Sequence, residues 1–420
     1  MNMITDRSLP KDIIFFSLLF LLLPVSLITG PAIPDILLSS IAVYFLFVSL
    51  KKKYWYYYKN PIFLGFILFS FYGILRSIFS EYPIVSLTNE GSLFYLRYIF
   101  FAMGVWYLLD NNPYLSKNLL IIIFICIAIV CFDGLYQYFV GHNLLNNPKF
   151  NSSRLTGLFG DEPIIGRYIA YLSIFAFGLL YSNFKFSKKI FMISMIFIVT
   201  SIVTVFLTGE RAAFFYLIFF LILVFVFAPK YRLTQILILI SCFFVIFTSI
   251  QFNPVAKTRI IDLTIKQVSE TKLPFLPYSE HHEQHYISAI RMFKDQPIFG
   301  LGTNTFRYQC IKEKYIYKDK SCSSHPHHYY IQSLAELGAI GFLFIASFFI
   351  YISYFLTKQL ISMIRSKKEK LIPFENFSFT LILFTYWWPL IPHMSLYNNW
   401  NNVLMMLPLG FFMRYLYSTK

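Results

Sequence analysis

Charge is scarce in this chain. Only 13% of its 420 residues are Asp, Glu, Lys or Arg, about half the share of an average soluble domain. That excludes a soluble domain of ordinary composition, because the 57% of hydrophobic residues carry far more apolar surface than one core can bury. Acid is scarcer than base, 20 residues against 36, which leaves a net charge of +16. The lysines fall in short segments between apolar runs, where membrane topology and anionic headgroups account for them, so no nucleic-acid partner is expected. Of five cysteines, Cys126, Cys131 and Cys242 lie inside apolar runs and read as small packing residues. There is no internal repeat and no low-complexity tract, so the inverted halves typical of many transporters are missing. The first apolar run, Ile13 to Ile28, lacks a small-residue cleavage site and reads as a retained helix rather than a signal peptide.

What the chain has in abundance is apolar runs of about 20 residues, the length that spans a bilayer as a helix. Twelve occur, at 12–30, 33–50, 61–79, 92–109, 118–140, 163–183, 188–208, 211–228, 233–252, 330–357, 372–391 and 398–417. The expected fold is an all-α polytopic membrane protein with about 12 transmembrane helices. Helices 1–9 fall in residues 1–251, one long, partly helical loop in 252–329, and helices 10–12 in 330–420. With the N-terminus in the cytoplasm, basic residues fall inside, as the positive-inside bias asks. They are Lys51, Lys52, Lys53 and Lys59 after the second run, Lys185, Lys188 and Lys189 after the sixth, Lys230 and Arg232 after the eighth, and Lys358, Arg365, Lys367, Lys368 and Lys370 after the tenth. An even count returns the C-terminus to the cytoplasm and puts the long loop outside.

That loop is patterned. A helix-like stretch runs from Pro254 to Glu270, then a Pro-broken segment from Leu273 to Pro277, then an amphipathic stretch from Glu283 to Lys294 with Tyr286, Ile290 and Phe293 on one face. Long ordered loops carry function or cover a cavity. At the outer ends of the runs the bases are arginines: Arg76, Arg97, Arg154, Arg167 and Arg211. A guanidinium at that depth needs a partner. Its planar, permanently charged fork suits a phosphate, and the set reads as an outward-facing anion pocket, with Arg211 and Arg97 foremost and Arg76 last. The competing reading has each arginine snorkel to headgroups or pair with Glu81, Asp133, Asp161, Glu162 or Glu210.

Six of the eight histidines form two clusters, His281, His282 and His285 in the loop, and His325, His327 and His328 at its end. Their spacing matches no recognised zinc pattern. His282 and His328 suit a loop surface. An acid-base or hydrogen-bonding role fits His327, which follows Pro326 at the mouth of an apolar run.

The run His327-His328, followed after nine residues by Gly338-Ala339-Ile340-Gly341, resembles the signature of bacterial O-antigen ligases and the related O-antigen polymerases. So do Arg154-Leu155-Thr156-Gly157-Leu158-Phe159, Leu207-Thr208-Gly209-Glu210-Arg211-Ala212 and the stretch from Met292 to Gly302. The resemblance implies a metal-independent glycosyltransferase of the membrane GT-C type, with no cofactor, in the bacterial inner membrane with its active site in the periplasm. It would take a glycan from undecaprenyl pyrophosphate and pass it to lipid A-core. Alternatives within the same chemistry are a polymerase, whose acceptor is a second lipid-linked glycan, and a protein O-oligosaccharyltransferase. A lipid or solute transporter is the alternative from another class. The resemblance gives Arg211 the pyrophosphate; from the arginine set read above, Arg97, Arg154 and Arg167, together with Arg291, are the further donor-binding candidates. The resemblance also gives His327 the acceptor hydroxyl or the leaving group; His281, His285 and His325 of the two clusters are the candidates to support it. This chain departs from the family in two places. His328 stands where the family usually has Asn, Ser or Gln, and histidines occupy 281–285 where the ligases carry a second arginine, for which Arg291 is the substitute. Cys310 and Cys322, the two cysteines outside apolar runs, are expected to form a disulfide across the long loop, which would face an oxidising periplasm.

Overall fold

The computed structural model of the chain describes residues 9–88, 91–150, 154–185, 187–229, 232–252, 279–365 and 371–418, together with residues 258, 262, 265, 266 and 269. The expected helix in 254–270 and the Pro-broken segment 273–277 lie largely or wholly outside the described residues. Among those described there is no β-strand, only isolated bridges joining His142 to Pro148 and Phe150 to Arg154. Each of the twelve apolar runs carries a helix. They are α1 (Lys11–Leu21), α2 (Ala32–Lys51), α3 (Pro61–Ile78), α4 (Arg97–Asn111), α5 (Leu115–Val140), α6 (Ile165–Asn183), α7 (Lys188–Thr208), α8 (Arg211–Phe227), α9 (Arg232–Phe252), α11 (Tyr329–Ile364), α12 (Phe374–Tyr386) and α13 (Asn399–Tyr417), with α10 (Glu280–Asp295) in the long connection. Among the described residues six helices are long and apolar enough to cross a membrane: α2, α3, α5, α6, α7 and α11.

Local chemistry sets the boundaries. Asn60 starts α3 by accepting the Phe63 N–H at 2.8 Å, with Pro61 in the first helical position. Gly209, left-handed at φ 74°, stops α7, and Arg211 begins α8 two residues later. Three runs are markedly shorter as helices than as apolar stretches, the first of them 12–30, where α1 ends at Leu21. The run 92–109 becomes helical only at Arg97. The run 372–391 stops at Tyr386, ahead of Pro389 and Pro392, which cannot continue a helix. Thirteen helical residues reach only about 20 Å, short of a bilayer core.

The tenth run hides a break. α11 is interrupted at Gly338 (φ 65°, ψ −163°), so its first turns leave the line of the helix beyond. The cause is a segment of the long connection laid against it: a Cβ at Gly338 would sit 2.3 Å from the Ile298 carbonyl oxygen. The backbone groups freed by the break are taken up by that same segment. Leu301 N–H donates to Ala335 O at 3.1 Å, Gly302 N–H to Glu336 O at 2.8 Å, and Ala339 N–H to Pro297 O at 2.8 Å. Gly300 and Gly338, one from each glycine motif, therefore serve one close backbone contact.

Above this break lies a small second core of Ala289, Met292, Phe306, Cys310, Tyr315 and Ala335. α10 turns Tyr286, Ala289 and Met292 inward, whereas Ile290, expected on the buried face, is exposed. At the centre of the main bundle stands α6, buried on nearly all sides and packed on α5, α7, α8 and α12. Its first turn carries Arg167.

Candidate functional site

The site is built where the start of α11 meets the loop after α12. Its backbone is zipped together by side chains. Gln332 accepts the Leu396 N–H at 2.9 Å and donates to Ser395 Oγ at 3.2 Å, and the Tyr330 hydroxyl donates to Trp387 O at 2.6 Å. The His393 N–H donates to the His327 carbonyl at 2.9 Å. His327 itself sits in the left-handed region at φ 58°, a conformation costly for a non-glycine residue and held here by its neighbours.

His328 is not a surface residue; it is buried and works on the backbone. Its Nε2–H donates to Pro389 O at 2.8 Å, which leaves Nδ1 to accept the Ile331 N–H at 3.4 Å. That is the N-cap of α11. Asn and Ser, usual at this place in the ligases, are good N-cap residues for the same reason. His328→Asn should therefore fold and melt like the parent. His328→Ala should lose about 1 kcal/mol, seen as a lower Tm in detergent.

Around His327 gather its near neighbour His325 and two rings, His282 and His285, that the sequence places more than 40 positions away. His325 lies 4.0 Å away between ring centroids, and His282 and His285 each lie 5.5 Å away. Burial, then the positive charges that His282, His285 and Arg167 would add, push His327 down to about 3. Burial likewise takes His282 to about 3, His285 to about 4, and His325 well below the ordinary imidazole range. These imidazoles are neutral near pH 7 and can accept a proton or a hydrogen bond. His281 is exposed, 3.5 Å from Lys320 Nζ.

The arginines divide. Arg154, Arg167 and Arg211 share the region of the histidines: Arg167 acts electrostatically on His325 and His327, Arg211 on His282, and Arg154 on Arg211. Arg154 also donates to Pro163 O at 2.9 Å. Glu210 caps α6 between them, accepting the Gly166 N–H at 2.6 Å and the Arg167 N–H at 3.2 Å. The three remaining candidate arginines are engaged elsewhere. Arg97 pairs with Asp35 at 2.9 Å and donates to Asn399 Oδ1 at 2.7 Å. Arg291 donates to Ile316 O and lies over the Tyr317 ring. Arg76, ranked last, braces the loop by donating to Gly300 O at 2.8 Å.

Two residues join the site that sequence reasoning passed over. His393 is 1% exposed, stacks on Tyr329 with centroids 4.2 Å apart, and feels Arg167. A signal was present, since Pro392-His393 repeats Pro326-His327 in a second polar break between apolar runs. Arg307 acts on His325, and its loop is fixed by the buried Glu336 carboxylate, which accepts the Asn304 and Phe306 N–H groups at 3.0 Å each. Cys310 and Cys322 are joined in a disulfide with Cα atoms 5.0 Å apart, closing the loop that follows Arg307. Among the described residues no three His, Cys, Asp or Glu side chains form a group able to hold a metal.

Fold and site together define a helical membrane protein in which Arg154, Arg167 and Arg211 lie within electrostatic reach of one another or of a cluster of buried histidines. Residues 196–346 match the family model described as O-antigen ligase, and over that stretch the resemblance drawn from the motifs holds. The match takes in the motifs at 207–212, 292–302 and 327–341 and leaves the one at 154–159 outside. No curated protein matches the chain. The match supports, in general terms, a reading as an O-antigen ligase or polymerase-type membrane glycosyltransferase.

Proposed function

We propose that the chain transfers a glycan from undecaprenyl pyrophosphate to lipid A-core at the periplasmic face of the bacterial inner membrane. It would do so through twelve spans, with both termini cytoplasmic and the 252–329 connection outside. The observation that carries the reading is Arg167, whose charge bears on Glu210 and on His325, His327 and His393 alike. One residue thus links the basic pocket to the imidazoles.

In the proposed step His327 accepts the proton of the acceptor hydroxyl as that oxygen bonds to the anomeric carbon. The bond from that carbon to the phosphate oxygen breaks, and the electron pair leaves on pyrophosphate. Arg154, Arg167 and Arg211 meet the charge that develops on the leaving group, the task a divalent metal has in other pyrophosphate chemistry. A bound pyrophosphate also reverses the local field. Its negative charge raises the affinity of the neighbouring imidazoles for a proton, so His327 becomes a better base once the donor is in place.

The acceptor is tested in the cell. A deletion strain is expected to make core-only lipopolysaccharide while retaining long lipid-linked chains, read on a silver-stained gel. Core bearing single repeats would instead assign the chain to polymerisation.

A further inference from the structure

Glu210 stands in an unusual position for a carboxylate in an anion site. It is 8% exposed, and both its oxygens are taken by backbone N–H groups at the start of α6. The fit there is close, because a Cβ at Gly166 would lie 2.7 Å from Thr208 Oγ1 and 3.0 Å from Glu210 Oε1. Arg154 and Arg167 act on it through space, and among the described residues neither makes a contact ion pair with it. A carboxylate gripped by guanidinium forks would occupy the donors that a phosphate needs. One gripped by the helix amides does not compete with a phosphate for those donors while still offsetting their charge.

From this arrangement we infer that Glu210 is a positioning residue with a second task. It orients the first turn of α6, and with it Arg167, and it serves as a fixed counter-charge that weakens the hold of the pocket on pyrophosphate so that the product can leave. The inference rests on the donor reading above. Three arginines without a counter-charge would bind substrate and product alike, and uniform tight binding slows turnover.

The test uses the purified full chain in nanodiscs, with inorganic pyrophosphate as probe and calorimetry as readout. Glu210→Gln loses the charge and keeps an oxygen for one of the two helix amides, and Glu210→Ser loses the charge and both contacts. Either, once shown to melt as a folded protein, is expected to bind pyrophosphate at least tenfold more tightly than the parent. With lipid-linked donor it should show a lower KM together with a lower kcat. Unchanged or weaker binding in a folded variant, alongside loss of binding in Arg167→Ala, overturns the inference and leaves the donor site standing. Equal binding by Arg167→Ala and the parent removes the donor reading itself.

Discussion

Arg167→Lys should fold, reach the membrane at parental levels and lose most glycan transfer, on the order of 100-fold in kcat/KM. Lysine keeps the positive charge and gives up the planar fork that binds two phosphate oxygens at once. A charge-assisted hydrogen bond contributes about 1.5–3 kcal/mol, and each 1.4 kcal/mol is about tenfold in rate, so one lost bond and one distorted bond reach that loss. Arg211→Lys is expected to behave in the same way. Arg97→Lys should be far milder, because Arg97 already neutralises Asp35 and is held by Asn399. Steady-state transfer by the three variants, each normalised to protein in the membrane, checks the order. Equal activity in all three would make the arginines anchors at the membrane boundary.

That order differs from what the sequence suggested, and the difference has a physical cause. Apolar runs, tight breaks and the concentration of arginine at one end of the runs are local signals, and every run does carry a helix. Whether an arginine is free to meet a ligand depends on residues far along the chain. Asp35 lies about sixty positions before Arg97 and Asn399 about three hundred after it, so nothing near Arg97 announces its partners. The break in α11 was hidden for a similar reason. Hydropathy continues unbroken across Gly338, and the cause of the kink is the Ile298 carbonyl from another segment. His393 was missed although its Pro-His pair matches that of His327, because a lone histidine between two apolar runs is ordinary until the His327 carbonyl is seen to receive its N–H.

Replacing His327 by alanine should cost about 100-fold or more in transfer, the range found for removal of a general acid or base. Donor binding should survive, since the arginines hold the pyrophosphate and His327 meets the acceptor. The left-handed backbone at His327 is a separate liability. His327→Asn tolerates that conformation and removes the basic imidazole, so it should fold like the parent and still fail in transfer. His325→Ala and His285→Ala change the surroundings of His327 and should cost less. Were the clusters a zinc site, all of them would fail together and chelators would abolish activity.

Transfer by the purified chain from an undecaprenyl-pyrophosphate-linked glycan to lipid A-core, measured after exhaustive treatment with EDTA, tests the central claim most directly. A full rate in the parent, with His327→Asn binding donor yet transferring at least 100-fold more slowly, is the result predicted by an arginine-held leaving group and a histidine base. Activity lost to the chelator and restored by added zinc, or a fully active His327→Asn, would contradict it.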